Sequence, residues 1–186
     1  MDREILRQII HASGIFIVVL GLFLTPEVLI LLCIIMLVFA EMVFILDKYY
    51  QIPIFSFILS NSKRKDDERG FLYFFLGIIA TLYIFGFNTA IAYTGILMLL
   101  IGDSASTIIG RRFGRHKLPF NDLKSVEGSL AFLFVGFISA LTLLPILPSF
   151  IGALVGALTE GYSPIDDNIT VPIISALAIT VVIYWI

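Results

Sequence analysis

One polar interval of the chain, residues 102–129, combines the residue types that bind a phosphate ester. It holds five of the twelve Lys and Arg residues, together with three carboxylates and four glycines. Cations neutralise phosphate oxygens, carboxylates hold a divalent metal, and glycines let the backbone approach a ligand closely. We therefore predict that this interval binds a phosphate ester together with a metal. Its basic residues are Arg111, Arg112, Arg115, Lys117 and Lys124, its carboxylates are Asp103, Asp122 and Glu127, and its glycines are Gly102, Gly110, Gly114 and Gly128.

The two ends of this interval carry its strongest candidates. Asp103 follows an uncharged run, and Mg²⁺ is commonly held by one or two carboxylates plus substrate phosphates. Lys124 could hold a phosphate oxygen as a point charge, and Glu127 could hold the metal. Ser125 and Glu127 have a structural alternative, as the N-cap and the first-turn acidic residue of a helix. The other basic residues of the interval have an alternative too, which is contact with anionic lipid headgroups.

A second acidic stretch precedes the last apolar run. Glu160, Asp166, Asp167 and Asn168 place four metal-competent side chains within nine residues, and all four present the oxygen ligands that Mg²⁺ prefers. The alternative is a solvated loop that holds no ligand.

Three ionisable residues lie within or beside the first two apolar runs. Arg7 and His11 are four residues apart and therefore share one helix face, and Glu41 lies near the end of the second run. Ionisable groups in membrane segments usually face the bundle interior and carry function. The alternatives are a snorkelling cation for Arg7 and a packing pair between His11 and Glu41.

The composition is that of an integral membrane protein. Hydrophobic residues make up 59% of the 186 residues and charged residues 14%, whereas soluble domains average about 45–50% and about 25%. We expect a single domain over residues 1–186 and no nucleic-acid partner. The single cysteine, Cys33, excludes an intrachain disulfide.

The apolar runs predict an all-α fold, a polytopic membrane bundle with about seven spanning helices of about 20 residues or slightly fewer. Gly86-Phe87-Asn88 supplies turn chemistry inside one long uncharged run, and the proline-containing residues 145–148 interrupt another. Each of these runs is therefore predicted to form two short helices. Residues 52–59 are too short to cross and are predicted to lie at the membrane interface. The predicted spans are residues 9–24, 28–46, two within 71–102, two within 129–159, and 171–186.

The placement of basic residues supports this count. With about seven spans, all twelve Lys and Arg residues lie on one side, whereas a single helix over 71–102 would put the basic loops on opposite sides. The positive-inside tendency places that side, with the N-terminus, in the cytoplasm. The polar interval and the acidic stretch then share the cytoplasmic face. The expected location is a prokaryotic plasma membrane.

Residues 102–129 resemble the signature loop of the membrane lipid-alcohol kinases, the family that includes dolichol kinase, phytol kinase and the CTP-dependent diacylglycerol kinases. The residues in register with the family pattern are Asp103, Gly110, Gly114, Lys124, Glu127 and Gly128. The sequence departs from the pattern where Ser106 replaces an Ala, Leu123 replaces a Lys, and Ser125 replaces a Thr but keeps its hydroxyl. The missing Lys bears on the identity of the nucleotide. Arg7 to His11 and the acidic stretch also resemble the family's first span and the loop before its closing helix.

The resemblance implies CTP-dependent phosphorylation of a lipid alcohol, such as a polyprenol, an isoprenoid alcohol, or a diacyl or diether glycerol. CTP and Mg²⁺ are the implied donor and cofactor. The implied metal ligands are Asp103, Glu127 and Asp167, and the implied catalytic residues are Asp103, Lys124, Glu127 and Asp166, with Asp103 or Asp166 accepting the alcohol proton. The implied nucleotide-binding residues are Gly110, Arg111, Arg112, Gly114, Lys124, Ser125 and Gly128. The implied acceptor-lipid residues are Arg7, His11, Glu41, Glu160 and Asn168.

Two other functions are open at this point. A cytidylyltransferase that joins CTP to a lipid phosphate would use the same metal and cations but would release pyrophosphate. The C-terminal Asp-Arg-x-x-Asp signature of the related CDP-lipid synthases is absent from the sequence. A transporter or lipid-binding scaffold would carry paired charges along a path across the bilayer. The charges instead cluster on one predicted face, which favours chemistry at a membrane surface.

Overall fold

A computed structural model describes residues 3–50, 70–119 and 121–186, and this part of the chain is mainly helical. The predicted all-α class is therefore confirmed for the described residues. The segment predicted to lie at the membrane interface, residues 52–59, falls outside them. The helices in chain order are α1 (Arg3–Ala12), α2 (Ile15–Leu20), α3 (Pro26–Tyr50), α4 (Gly70–Phe85), α5 (Thr89–Leu97), α6 (Ser104–Phe113), α7 (Val126–Ala140), α8 (Ile146–Tyr162) and α9 (Asp167–Trp185), with a π-helical turn (Met98–Asp103) joining α5 to α6.

Both long uncharged runs are divided into two helices, as the turn residues predict. The Gly86 N–H still donates to the Leu82 carbonyl oxygen at 2.8 Å, but Asn88 adopts an extended conformation and ends the continuity between α4 and α5. Pro145 is likewise extended immediately before α8. Proline lacks the N–H that a helix interior needs, so a new helix begins after it.

The first predicted span is interrupted, which corrects the expectation of one continuous helix over residues 9–24. α1 ends at Ala12, and α2 begins at Ile15 after a turn at Ser13 and Gly14. A Cβ on Gly14 would lie 2.7 Å from Leu100 and 2.8 Å from Phe74. The missing side chain therefore lets this turn approach the centre of the bundle closely.

The polar interval is not a loop throughout, and it contains strands that the sequence analysis did not expect. α6 runs to Phe113, and Gly114 then takes an extended backbone conformation that ends it. Strands β1 (Lys117–Leu118) and β2 (Asn121–Ser125) pair antiparallel, with Lys117 opposite Ser125 and an irregular register beside it. The hairpin brings the chain back toward α6 before α7 begins at Val126.

α5 forms the centre of the core, where every residue from Ile91 to Leu100 is buried. A Cβ on Gly95 would meet the Pro172 carbonyl oxygen of α9 at 2.5 Å, and one on Gly102 would meet the Phe132 ring of α7 at 2.9 Å. These glycines let the two neighbouring helices approach the central one closely. Some buried hydroxyl groups are satisfied within their own helices, as in the Thr94 bond to the Ala90 carbonyl oxygen at 2.7 Å.

Three helical segments in the described ranges are long and apolar enough to cross a membrane, namely Pro26–Leu46, Thr89–Phe113 and Asp167–Trp185. Much of α3 faces outward with large apolar side chains exposed, including Val38 at 63% and Ile35 at 53%. An apolar helix surface of this extent is typical of contact with lipid or with another protein. These features indicate a membrane protein. Four shorter helical segments are also apolar, and the first of them includes the turn between α1 and α2. These segments are Arg7–Leu20, Gly70–Phe85, Val126–Ala140 and Ile146–Tyr162.

Candidate active site

Three buried carboxylates meet where the π-helical turn, α8 and α9 come together. Asp103 ends the turn, Glu160 lies in the last turn of α8, and Asp167 begins α9. One oxygen from each lies within 4.8 Å of the others. The residues are 2%, 2% and 7% exposed, so their charges cannot be screened by water and need a cation nearby. We call these three residues the carboxylate cluster.

Lys124 supplies one such cation. Its ammonium group donates to Glu160 Oε1 and, at 2.8 Å, to Asp167 Oδ2. Burial alone would lower the pKa of Lys124, but the negative charges of Asp103, Asp167 and Glu160 outweigh burial and raise it above its ordinary value. The group therefore stays protonated. β2 carries Lys124 to this position, and the hairpin is tied to the end of α8 by a 2.8 Å bond from Asn121 Nδ2 to the Gly161 carbonyl oxygen.

The carboxylate cluster has capacity for a further cation. Among the described residues, Asp103 Oδ1 and Glu160 Oε2 are fully buried and have no hydrogen-bond partner. Buried polar atoms in proteins nearly always have one. Ser106 Oγ donates to Glu160 Oε1 at 3.0 Å, which leaves the second oxygen of that carboxylate unsatisfied. The three carboxylates, two of which have an oxygen without a partner, form a donor set that fits a hard divalent cation such as Mg²⁺.

The π-helical turn determines how Asp103 is presented. It lies within the continuous helical segment Thr89–Phe113, and such wide turns occur often at functional sites. The Leu99 carbonyl oxygen of this turn accepts a hydrogen bond from His11 Nε2 at 3.1 Å, so this nitrogen carries a proton. The same nitrogen lies 3.7 Å from Asp103 Oδ2. His11 thus connects α1 to the carboxylate cluster.

His11 also stands at the polar end of a groove of about 540 Å³. The polar residues there include Arg7 and Asn168, and Asn168 adjoins Asp167 of the carboxylate cluster. The rest of the groove extends between α1, α2, α3 and α4 and is mainly apolar. A long apolar ligand with one polar end fits such a site. The apolar lining comprises Ile10, Phe16, Ile17, Leu20, Leu29, Leu32, Cys33, Met36, Phe71, Phe74 and Phe75.

Comparison with known proteins finds a relative along nearly the whole chain and plant kinases along part of it. An uncharacterized protein of Methanocaldococcus jannaschii is 38% identical over 184 residues, which cover 95% of this chain and 93% of that protein. A chloroplastic farnesol kinase of Arabidopsis thaliana is 31% identical over 135 residues, covering 63% of this chain and 44% of the kinase. The probable phytol kinase 1 of Glycine max, also chloroplastic, is 33% identical over 124 residues, covering 56% and 41%. The kinase names of these plant relatives support the resemblance to the lipid-alcohol kinases.

The chain spans less than half the length of each of these two plant kinases. No family model matches the chain, and no solved structure matches it either.

The predicted nucleotide-binding glycines pack α6 against the start of α7. A Cβ on Gly110 would lie 3.1 Å from Ser125 Oγ, and one on Gly128 would lie 3.0 Å from the Ser106 carbonyl oxygen. Ser125 Oγ caps α7 by accepting from the Gly128 N–H at 3.2 Å, so the N-cap alternative for this residue is present. Gly114 ends α6 beside them. Their close packing holds Lys124 beside the carboxylate cluster.

Arg111 and Arg112 lie in the last turn of α6 and are exposed. The Arg112 guanidinium lies 5.7 Å from the centroid of the Phe113 ring. Both arginines are placed on the surface beside the hairpin rather than inside the carboxylate cluster. From there they can reach a ligand only from its solvent side.

Three other predicted residues are not members of the carboxylate cluster. Glu127 accepts from His116, at 2.7 Å from the ring Nδ1 and 3.2 Å from the backbone N–H, and its side chain is 26% exposed. Asp166 caps α9 by accepting from the Asn168 N–H at 2.9 Å. Glu41 lines a separate apolar pocket that it shares with neighbouring residues of α3. His11 lines the groove, whereas Glu41 does not, so the two residues predicted as a packing pair line different pockets.

Sequence reasoning missed two features of the site. It assigned Glu160 to the acceptor lipid, whereas the structure places this carboxylate beside Lys124. It also gave Ser106 no role, although this hydroxyl bonds directly to Glu160. One signal was available, because Ser106 stands three residues after Asp103 and residues at that spacing share a helix face.

Proposed function

We propose that the chain is a lipid-alcohol kinase that transfers the γ-phosphoryl group of CTP to the hydroxyl of a membrane lipid alcohol. The carrying observation is that the carboxylate cluster and Lys124 adjoin the polar end of the apolar groove, with His11 between them. This arrangement supports a polyphosphate on one side and a lipid hydroxyl on the other. The kinase names of the plant relatives support the activity class, and the signature loop supports CTP as the donor.

Asp103, Glu160 and Asp167 would hold Mg²⁺ on the donor. When bound, the metal neutralises charge on the phosphate oxygens and helps to orient them. Glu160 takes the place that the sequence analysis gave to Glu127, since it supplies a buried oxygen without a partner in the described part of the chain. Lys124, Arg111 and Arg112 would offset the negative charge on the transferring group and the leaving nucleotide.

The reaction needs one proton acceptor. The alcohol oxygen attacks the γ-phosphorus, a new O–P bond forms, and the bond from that phosphorus to the β,γ-bridging oxygen breaks, so CDP leaves with the electron pair. The alcohol proton passes to a carboxylate. We assign this role to Asp103 rather than Asp166, because Asp103 adjoins His11 at the groove end whereas Asp166 is engaged as a helix cap.

The groove supports an isoprenoid alcohol as the acceptor. Its apolar lining would bury the hydrocarbon chain, while Arg7, His11 and Asn168 would surround the hydroxyl. Burial of hydrocarbon contributes binding energy remote from the reacting atoms, and that energy can hold the hydroxyl in place. Lining residues of α2 and α3, such as Phe16 and Met36, are also exposed, so the substrate would enter the groove directly from the membrane.

We propose the seven-span topology of a single domain, with the N-terminus and the active site on the cytoplasmic side of a prokaryotic plasma membrane. The residues around the carboxylate cluster come from the α1 end at His11, the π-helical turn, β2, the end of α8 and the start of α9. That topology puts all these positions on one face. Their meeting in space therefore supports the predicted orientation, which cytoplasmic labelling of single-cysteine variants would test.

The activity is tested by incubating the purified full chain in detergent with labelled CTP, Mg²⁺ and a panel of farnesol, phytol, polyprenol and diacylglycerol. We expect a lipid monophosphate and CDP, with an isoprenoid alcohol as the best acceptor. Pyrophosphate and a CDP-lipid formed from a lipid phosphate would instead identify a cytidylyltransferase. Absence of any product with every nucleoside triphosphate would favour a transporter or scaffold.

Leu32→Trp should weaken acceptor binding selectively. Leu32 lines the groove and is 38% exposed, so the larger ring can be accommodated by the fold while it narrows the groove. We expect the KM for the lipid alcohol to rise at least about tenfold, the scale on which pockets discriminate small changes in apolar volume. The KM for the nucleotide should not change.

Leu31→Trp is the matched control for the groove. Leu31 is the adjacent residue of α3, is 57% exposed and is not part of the groove lining. Initial rates measured over a range of lipid concentrations should match those of the unmodified protein. If both substitutions changed the KM for the lipid alcohol equally, the acceptor would bind outside this groove.

Glu160→Gln and Glu127→Gln distinguish the two candidate metal ligands. Removing a preorganised group that stabilises transferring charge commonly lowers kcat about 10²-fold or more, and we expect this for Glu160→Gln. Glu127 is in an exposed pair with His116, and exposed pairs contribute little, so its variant should lose less than about fivefold. The kcat of each variant with saturating substrates checks this. If Glu127→Gln lost more kcat than Glu160→Gln, the metal ligands would be Asp103, Glu127 and Asp167, as the sequence analysis predicted.

A further inference from the structure

Lys124 binds two of the carboxylates that a divalent cation would also use. Its ammonium group donates to Glu160 Oε1 and Asp167 Oδ2. It therefore forms hydrogen bonds with two of the three carboxylates that could hold the metal. The side chain is 22% exposed, against 1% for Glu160 and 10% for Asp167. The ammonium therefore enters the carboxylate cluster from its more open side.

The same ammonium cannot neutralise the carboxylates and a bound polyphosphate at one time. It has three N–H donors, and two of them are used within the carboxylate cluster. A divalent cation on those carboxylates would repel the ammonium and would supply the positive charge that they need. The phosphate groups carried by that cation would at the same time offer new acceptors to the displaced lysine.

The protein can allow this exchange without moving its backbone. The hairpin is held to α8 by the bond from Asn121 to the Gly161 carbonyl oxygen and to α7 by the Val126 N–H bond to the His116 carbonyl oxygen at 2.9 Å. Lys124 has a flexible four-carbon stem with a terminal point charge. Only this stem has to change rotamer for the ammonium to leave the carboxylates.

We propose that Lys124 is an exchangeable counter-ion, which balances the carboxylate cluster until a metal–nucleotide complex arrives and then moves to the phosphates. The consequence is that metal and nucleotide bind as a pair, and that the metal alone binds weakly. The proposal deepens the proposed function and rests on its metal site. The alternative is a permanent ion pair, in which Lys124 stays bound to the carboxylates when metal and nucleotide bind. In that case, removing the Lys124 charge would not increase the affinity of the carboxylate cluster for a cation.

The test measures binding of Mn²⁺ alone to the purified full chain, without nucleotide or lipid, by the rise in melting temperature and by the loss of the free-ion electron paramagnetic resonance signal. Lys124→Met removes the competing charge while keeping an unbranched side chain. We expect it to bind Mn²⁺ at least about tenfold more tightly than the unmodified protein, because one buried unit charge no longer opposes the ion. Lys117→Met, on the exposed strand β1, should bind Mn²⁺ as the unmodified protein does.

A second measurement uses a non-hydrolysable CTP analogue. In the unmodified protein the analogue should tighten Mn²⁺ binding at least about tenfold, and Mn²⁺ should tighten analogue binding by the same factor, because the coupling is reciprocal. Equal Mn²⁺ affinity in the unmodified protein and Lys124→Met, or weaker affinity in the variant, would overturn the proposal. If Lys124→Met is unstable, Mn²⁺ must restore its melting temperature, and failure to do so overturns the proposal as well.

These outcomes are separable from the fate of the kinase assignment. The Mn²⁺ measurement involves no phosphoryl transfer, so tighter metal binding by Lys124→Met would stand even if no lipid monophosphate were ever formed. Conversely, active protein with equal Mn²⁺ affinities would keep the kinase and discard the counter-ion exchange.

Discussion

We expect Asp103→Asn to lower the rate of the proposed lipid phosphorylation about 10⁴-fold while the protein stays folded. The substitution keeps the shape of the side chain and removes its charge. It thereby removes one ligand of the proposed metal and the proposed acceptor of the alcohol proton, and general base catalysis alone commonly contributes about 10²–10⁴-fold. The loss should appear in kcat with both substrates saturating.

Asp122→Asn is the matched control for this prediction. Asp122 belongs to the same polar interval but is exposed on β2, so its variant should retain the rate of the unmodified protein. The melting temperatures of both variants should show that the fold persists. A loss of less than about tenfold for a folded Asp103→Asn protein would remove Asp103 from both proposed roles.

Gly77→Ala destabilises the protein by at least about 3 kcal/mol, at the upper end of what overpacking usually costs. A Cβ on Gly77 would overlap the backbone carbonyl of Asn168 and would lie 3.2 Å from the Cα of Ile169. Backbone atoms cannot rotate away as a side chain can, so α4 and α9 would have to separate. For a chain of this length the melting temperature should fall by about 6–12 °C.

The same substitution should also reduce activity, because Asn168 adjoins Asp167 of the carboxylate cluster. Gly70→Ala serves as its stability control, since a Cβ there would meet no described atom within 4 Å. Its melting temperature should equal that of the unmodified protein. If Gly77→Ala melted like Gly70→Ala, the contact between α4 and α9 would not be as close as the structure indicates.

The sequence predicted the helices well because their signals are local. A run of apolar residues long enough to be helical is visible in composition, and the breaks at residues 86–88 and at Pro145 follow from backbone preferences of those residues. The turn at Gly14 was missed because its cause is tertiary. The close approach of Leu100 and Phe74 to Gly14 is a contact between residues distant in the chain. The hairpin was missed because a polar interval without periodicity resembles a loop.

The partners within the site were harder to predict, since they are distant in the chain. The sequence drew attention to Asp103, Lys124 and Asp167, and the structure brings these three together, although their catalytic roles are still predictions. It assigned the third metal ligand to Glu127 rather than Glu160, because the two are chemically alike and the sequence does not show which of them is buried. Their difference lies in surroundings, one beside an exposed histidine and the other beside a buried lysine.

The π-helical turn makes the position of Asp103 depend on the number of residues in a single turn. Each residue of an α-helix advances the chain by about 100° around its axis, so a chain shortened by one residue within Met98–Asp103 would rotate everything that follows by roughly that angle. Its hydropathy profile would be almost unchanged, and its helices would still be recognisable. A relative with a one-codon deletion here would therefore look like a kinase by homology yet direct its aspartate away from the reaction, and counting residues in this turn would identify such inactive copies in a genome.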